Sequence, residues 1–236
     1  MSHTEPGDWM PAAWTPRWAR HVGRILCGTL WHVEVYGAEN VPADGRVIVA
    51  ANHAGLIDGP LMMGFVPRPT HFLVKGAFFR GPVGWVLRAC GQIPVLPGGG
   101  RSALSAGRGV LMRDGCVGIF PEGRRGRGDV ARLHPGVGWL SLHTGAPVVP
   151  VAVLGTRVTG KSVHALPRLR TRIVVLYGAP VTVPSSCNGE PTRRDIADMT
   201  DRVRTAMSEL LMEAQQKYGI VMPTDDGTEG SYSANV

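Results

Sequence analysis

The sequence predicts a single α/β domain, a largely parallel or mixed sheet flanked by helices and preceded by an amphipathic N-terminal helix. Three observations carry this. From Val47 onward, short runs rich in β-branched residues recur, and they are continuously apolar instead of alternating, as strands buried on both faces are. Between them lie segments of helical length, the alternation that produces parallel strands. Finally, 236 residues with 44% apolar content suffice for one core of ordinary size.

Residues 1–16 contain Pro6, Gly7, Pro11 and Pro16 and read as an irregular arm. Thr15-Pro16 then offers an N-cap and a first-turn proline for an amphipathic helix over 17–31. At 100° per residue, Trp18, Val22, Ile25, Leu26 and Thr29 fall on one side, while Arg17, Arg20 and Arg24 share an opposing arc roughly 60° wide. With Trp9 and Trp14 beside it, this is the composition of a helix lying in a bilayer interface, its arginines on anionic lipid. A helix packed on its own domain shows the same stripe, and periodicity alone does not choose between the two.

The predicted strands are Val47–Ala51, His71–Lys75, Gln92–Leu96, Cys116–Phe120, Val148–Leu154 and Thr171–Tyr177, with helices near 60–67, 80–90, 101–113 and 135–145. In Arg193–Tyr218, residues Ile196, Met199, Val203, Met207, Leu210 and Leu211 follow helical spacing, which predicts a closing helix docked on the sheet. The main domain therefore spans 32–222, and the polar segment 223–236 is expected to be a disordered tail.

Three lysines, Lys75, Lys161 and Lys217, leave 22 arginines to carry nearly all the positive charge. Arginine's planar fork suits phosphate and carboxylate partners. Ten basic and three acidic residues lie between Lys75 and His134, which concentrates there the whole net charge of +7 and focuses a positive field. The cysteines Cys27, Cys90, Cys116 and Cys187 form no C-x-x-C pair and read as reduced, buried small hydrophobes. The histidines show no metal-ligand spacing. The best candidate for a membrane span, residues 22–36, is interrupted by Arg24, His32 and Glu34. Met1–Pro16, acidic and proline-bearing, does not read as a secretory signal.

The first long apolar run, Val47–Ala51, leads into Asn52-His53-Ala54-Gly55-Leu56-Ile57-Asp58. This sets an imidazole and a carboxylate just past the carboxyl end of a buried strand, where open α/β sheets bind their ligands. Residues five apart on a straight helix differ by about 140°, so His53 and Asp58 meet only if the chain wraps through Gly55. Once paired, Asp58 fixes the tautomer of His53, raises its basicity and leaves the other ring nitrogen to take a proton from a hydroxyl. Taken alone, the two residues fit equally a capping Asp58 and a hydrogen-bonded structural His53.

This block is followed by Lys75-Gly-Ala-Phe-Phe-Arg-Gly-Pro-Val-Gly-Trp85, Gly91-Gln-Ile-Pro-Val95, Phe120-Pro-Glu-Gly-Arg-Arg125 and Val149-Pro-Val151. Over roughly residues 30–180 the chain resembles the glycerophospholipid acyltransferases, and among them the lysophosphatidate type, with the blocks in the family's order and spacing. The resemblance implies transfer of a fatty acyl group from acyl-CoA or acyl carrier protein to the free hydroxyl of 1-acyl-glycerol-3-phosphate, with His53 as base and Asp58 orienting its ring. It implies that Lys75 and Arg125 hold the acceptor's phosphate, with Arg101 and Arg124 as helpers. Glu122 and Gly123 would shape the turn that presents Arg125, and Asn52 would belong to the same motif framework. No metal or redox cofactor is implied; the acyl donor is a substrate. The expected partners are a membrane lipid acceptor, an anionic membrane surface and an acyl carrier protein, not nucleic acid. The expected location is the cytoplasmic face of a membrane, peripheral or monotopic. Phe78, Phe79, Trp85 and Leu87 are candidates for an acyl groove, although a helix core predicts the same residues.

The chain departs from the family pattern in three places. Arg124 stands where a threonine is common. Leu96-Pro97-Gly-Gly-Gly-Arg101 follows Gly-x-Ile-Pro-Val where an arginine often comes sooner, and Arg101 reads either as its substitute at a helix start or as a plain exposed arginine. Ala54-Gly55 replaces bulkier polar residues. These changes leave open other acceptors, namely glycerol-3-phosphate, a lyso-amino-lipid or a glycolipid. A non-catalytic module that binds anionic lipid is a further alternative. Gly155-Thr-Arg-Val-Thr-Gly160-Lys161-Ser162 matches a P-loop expression, but Pro167 would break the helix that must follow, so it is read as a turn between strands. The glycines 98–100 are likewise read as a turn or anion nest instead of a dinucleotide fingerprint.

Overall fold

The computed structural model describes residues 10–184 and 190–227. Its strands are β1 (His32–Tyr36), β2 (Val47–Ala51), β3 (Thr70–Lys75), β4 (Ile93–Val95), β5 (Cys116–Ile119), β6 (Val148–Leu154) and β7 (Arg172–Tyr177). The helices are α1 (Thr15–Leu30), α2 (Asp58–Phe65), α3 (Gly81–Ala89), α4 (Gly100–Met112), α5 (Gly136–Thr144) and α6 (Arg193–Tyr218). One sheet runs β1-β7-β6-β2-β5-β3-β4. It is parallel from β6 through β2, β5 and β3 to β4, antiparallel between β6 and β7, and parallel again between β7 and β1. The fold is therefore the mixed, largely parallel α/β domain that the sequence predicts, with one strand more.

That extra strand, β1, escapes a search for continuous apolar runs because it is an edge strand. His32-Val33-Glu34-Val35-Tyr36 is nowhere fully buried, and it directly follows a helix whose last turns are apolar. By contrast, all five residues of β2 are buried. Ile48 and Ala50 join Val117, Leu140 and Met207 on the side of α4, α5 and α6. Val47, Val49 and Ala51 join Cys27 and Trp31, at the end of α1, and Leu61 and Met62 of α2 on the other side. Each such fully buried Ile, Leu or Met is worth about 1.5–3 kcal/mol relative to exposure.

Helix α1 begins at Thr15 with Trp14 in the cap position, not Thr15 as the sequence suggests. The Thr15 hydroxyl is engaged elsewhere, donating back to the Ala12 carbonyl at 2.6 Å. The helix packs on α2 through a face of small residues that includes Ala19, Gly23 and Cys27. A Cβ on Gly64 would lie 2.5 Å from the Arg24 nitrogen and 2.6 Å from the Gly23 carbonyl carbon, so the two backbones nearly touch. Arg20, expected on the outward basic arc, instead donates from Nε to the Val66 carbonyl at 2.8 Å. The apolar stripe points outward, with Trp14 64%, Val22 53%, Ile25 67% and Leu26 51% exposed. Trp9 lies outside the described residues. Among the described residues no helix is long and apolar enough to cross a membrane.

At the other end, α6 stops at Gly219, in the left-handed conformation. Residues 223–227, expected within a disordered tail, are instead bound to the domain: Asp225 pairs with Arg157, and Gly227 accepts the Val163 N–H. Residues 228–236 lie outside the described residues, as does Cys187. Cys27, Cys90 and Cys116 are free thiols in the core, and burial pushes each up to about 11.

Candidate active site

Parallel strands place their carboxyl ends together, and the loops that leave β2, β3 and β5 build the site. Asn52, fully buried, grips the backbone of β6 from both directions. Its Nδ2 donates to the Val153 carbonyl at 3.1 Å and its Oδ1 accepts the Val153 N–H at 2.7 Å. The chain then wraps. Asp58 Oδ2 accepts from the Ala54 and Gly55 N–H groups and meets His53 Nδ1, each at 2.8 Å. The pairing of His53 with Asp58, conditional in the sequence on a turn through Gly55, is thus present. Gly55 is required there by space: a Cβ would stand 2.8 Å from the Thr156 carbonyl oxygen.

The two members of this pair sit in different surroundings. Asp58 is withdrawn from solvent, its side chain 1% exposed, whereas that of His53 is 18% exposed. The imidazole stacks on Phe120, centroids 4.2 Å apart, and Phe120 leans on Phe72. With Nδ1 committed to Asp58, Nε2 lies on the far side of a ring clamped in position. A carboxylate behind and an aromatic face beside it hold the ring in one tautomer and one orientation.

The loop after β5 holds the backbone of His53. Glu122 Oε1 accepts the His53 N–H at 2.9 Å, and the His53 carbonyl accepts the Gly126 N–H at 3.1 Å. Burial pushes Glu122 up to about 8, the His53 N–H opposing and the nearby Asp129 and Asp58 charges reinforcing the shift. Gly123 has φ +71°, and a side chain there would strike His134. Beyond it, Arg125 donates to the Val163 carbonyl at 3.3 Å and lies 5.4 Å from the Phe78 ring centroid. Burial lowers its pKa, while the Asp58 charge acts to raise it.

Phe78 belongs to the 3-10 turn Gly76–Phe79, which Lys75 opens at the end of β3. Lys75 and Arg125 therefore come from neighbouring segments at one end of the sheet, with Lys75 exposed. Arg124 is exposed on the β5 turn and acts on Glu122 through its charge. Arg101 is exposed in the first turn of α4, beyond the edge strand β4. The structure thus brings His53, Asp58 and Glu122 into one hydrogen-bonded unit, sets Arg125 within the field of Asp58 and arrays Lys75, Arg101 and Arg124 around the same strand ends. A cleft of about 640 Å³ opens at the turn that follows β3, its walls including Gly76, Phe79, Arg80, Arg88 and Leu96. Of the residues expected to line an acyl groove, Phe79 lines this cleft.

One residue that sequence reading passed over is Arg157, inside the string that matches a P-loop. No helix follows Ser162 in the 155–170 segment, as Pro167 foretells. Arg157 turns inward and donates to the carbonyls of Ala54 and Gly126. Backbone carbonyls carry no sequence signature, so nothing in the string Gly155–Ser162 marks Arg157 as buried.

A family model described as Acyltransferase matches residues 32–154. The chain is 29% identical over 190 residues to the 1-acyl-sn-glycerol-3-phosphate acyltransferase of Bacillus subtilis, covering 79% of this chain and 92% of that protein. It is 35% identical over 127 residues to a protein of the same name from Borreliella burgdorferi, 52% of this chain and 51% of the relative. Its fold is similar to the crystal structure of the 1-acyl-sn-glycerophosphate (LPA) acyltransferase PlsC from Thermotoga maritima. That likeness has a TM-score of 0.58 at 25% identity, over 83% of this chain and 79% of the other.

Proposed function

Because the chain belongs to the acyltransferase family, we propose that it transfers a fatty acyl group from acyl-CoA or acyl carrier protein to the free hydroxyl of 1-acyl-glycerol-3-phosphate, forming phosphatidate. The observation that carries the proposal is the His53 Nδ1 to Asp58 Oδ2 bond of 2.8 Å, with Nε2 on the opposite edge of a stacked ring. The acceptor hydroxyl gives its proton to Nε2 as its oxygen attacks the thioester carbonyl carbon. Collapse of the tetrahedral intermediate breaks the C–S bond, and the imidazolium returns the proton to the departing thiolate. Asp58 stabilises the imidazolium between these steps without itself taking the proton.

Arg125 and Lys75 bind the acceptor's phosphate, Arg125 through its fork and Lys75 as a point charge. Arg101 and Arg124 add to the positive field. The outward stripe of α1, Trp14, Trp18, Val22, Ile25 and Leu26, rests in the interface of an anionic bilayer, where acceptor and product reside. On this reading the enzyme works as a peripheral or monotopic protein, with the cytoplasmic face as its proposed side of the membrane. The changed residues around the phosphate site keep glycerol-3-phosphate and other lyso-lipids as alternative acceptors.

Release of CoA thiol from acyl-CoA, followed with a thiol reagent, tests the proposal in liposomes with and without lysophosphatidate. The expected result is acceptor-dependent release that His53→Ala abolishes. Release with a different lyso-lipid only would change the acceptor. Silence with every acceptor and both donor types, from protein that still binds anionic liposomes, would replace the enzyme with a lipid-binding module.

A further inference from the structure

Arg157 lies three residues past β6, and its side chain is fully buried. A guanidinium withdrawn from water is costly unless each donor finds an acceptor. Here all five N–H groups do. Nε donates to the Ala54 carbonyl at 3.1 Å. Nη1 donates to the Lys161 carbonyl at 2.8 Å and to Asp225 Oδ1 at 2.7 Å. Nη2 donates to the Gly126 carbonyl at 3.0 Å and to the Asp225 carbonyl at 2.5 Å. One rigid planar group thus joins four separate segments, which the point charge of a lysine cannot do.

Two of these acceptors adjoin the site. Ala54 follows His53, and Gly126 follows Arg125. Gly126 also donates its N–H to the His53 carbonyl, so Arg157 braces from behind the junction between the histidine turn and the basic loop. The countercharge comes from the far end of the chain. Asp225 accepts from Arg157 and Gly227 on Oδ1 and from Gly160 on Oδ2 at 2.6 Å. Met222 closes the same region against Asn52, its sulfur 3.9 Å from Nδ2.

We infer that Arg157 is a positioning residue for acyl transfer, holding the His53 turn and the Arg125 loop in register, and that residues 222–227 form a latch whose Asp225 keeps the guanidinium in place. This rests on the proposed role of His53. The test compares the full-length wild type with Arg157→Lys, Asp225→Asn and His53→Ala. It measures kcat and KM for donor and acceptor, thermal unfolding, and the low-field proton resonance of the His53 imidazole bonded to Asp58. Arg157→Lys is expected to lower kcat about 10- to 100-fold, the scale of a small misplacement of reacting groups, with donor KM nearly unchanged and the low-field proton exchanging faster. Asp225→Asn moves the same quantities in the same direction, by less.

Wild-type kcat and an unchanged low-field proton in folded Arg157→Lys would overturn the inference. So would a loss of rate that merely equals the unfolded fraction. If Arg157→Lys fails to fold, Asp225→Asn, altered at a partly exposed carboxylate, decides it, and wild-type kcat there overturns the inference. An active His53→Ala would instead remove the function on which the inference rests.

Discussion

Gly55→Ser moves this sequence toward the bulkier polar residues common in the family at this position, yet the structure requires it to be damaging. Its Cβ would stand 2.8 Å from the Thr156 carbonyl oxygen and 3.2 Å from the Thr156 carbonyl carbon and hydroxyl. A comfortable C···O contact is about 3.3 Å or more, so one partner must retreat by about 0.5 Å. The main obstacle is backbone, not a side chain that can rotate away. Its neighbour Arg157 is bonded to the Ala54 carbonyl, within the same turn. The displacement therefore falls on the turn itself, where the Gly55 N–H meets Asp58 Oδ2 at 2.8 Å. Overpacking of this kind costs about 1–3 kcal/mol, which lowers the melting temperature by about 2 to 4 °C per kcal/mol in a domain of this size. A shift of half an ångström at His53, the proposed base, is expected to lower kcat about 10- to 100-fold. CoA release at saturating donor and acceptor, together with a thermal melt, reads both quantities. A Gly55→Ser enzyme with wild-type kcat and melting temperature would refute the steric account.

Asp58→Asn keeps the volume but presents an amide where carboxylate oxygens stood. It either reverses the His53 tautomer or buries a donor at the position of Oδ1, which has no hydrogen-bond partner among the described residues; kcat is expected to drop about 10³- to 10⁴-fold, and activity within tenfold of wild type would contradict the proposed role. Burial holds Glu122 at about 8, above its ordinary 4.5, so between those values the folded protein binds a proton that the unfolded chain releases. Its contribution to stability is complete below about pH 4.5 and declines as pH rises to about 8; Glu122→Gln should flatten that part of the melting-temperature profile, and an unchanged decline would count against it. Gly64→Ala sets a Cβ against the backbone of Gly23 and Arg24 and should destabilise the chain by about 1–3 kcal/mol in denaturant titration; no loss would mean that α1 is loosely held. Val22→Glu with Ile25→Glu alters two outward positions of α1 and should cut liposome binding about 100-fold, from the apolar burial lost, leaving the melting temperature in place; undiminished binding would remove α1 from the membrane contact.

The central strands were legible because a sheet covered on both faces leaves unbroken apolar runs, and β2, whose Ile48 and Val49 face opposite cores, is the clearest. β1 was not, since a half-exposed edge strand has no unbroken apolar run to set it apart from the helix before it. The His53–Asp58 pair could be named from sequence but not joined. The bond depends on two backbone N–H groups converging on Asp58 Oδ2, and that is a property of the turn. Arg157 and Asp225 were invisible for the same reason at longer range. Four of the five acceptors of Arg157 are main-chain carbonyls, those of Ala54, Gly126 and Asp225 lying 103, 31 and 68 positions away. The polar composition around Asp225 reads as disorder until that buried charge supplies a reason for order.

Helix α1 shows why its amphipathicity was ambiguous. A periodic apolar stripe establishes that something apolar faces it, not what that is. The structure divides the helix into separate faces: small residues against α2, where Gly23 meets Gly64, and large apolar residues outward. Packing on the domain is thus accomplished by residues that contribute little to the stripe, which leaves the stripe unspent. Its N-terminal part lies beside α3, where Trp18 Nε1 donates to the Ala89 carbonyl at 3.3 Å. Helix α3 follows the turn opened by Lys75, and Phe78 in that turn carries the Arg125 guanidinium over its ring. A continuous path of contacts therefore leads from the outward apolar face of α1 to the cationic ends of β3 and β5. An acceptor with an apolar chain and a phosphate needs these two environments side by side: in the proposed reaction the chain would remain in lipid while the headgroup reaches Lys75 and Arg125. A water-soluble acceptor such as glycerol-3-phosphate needs only the second. The Val22→Glu, Ile25→Glu protein therefore also separates the acceptors. Loss of activity toward lysophosphatidate in liposomes, with undiminished turnover of any soluble acceptor, is the pattern that a membrane-held lipid substrate requires.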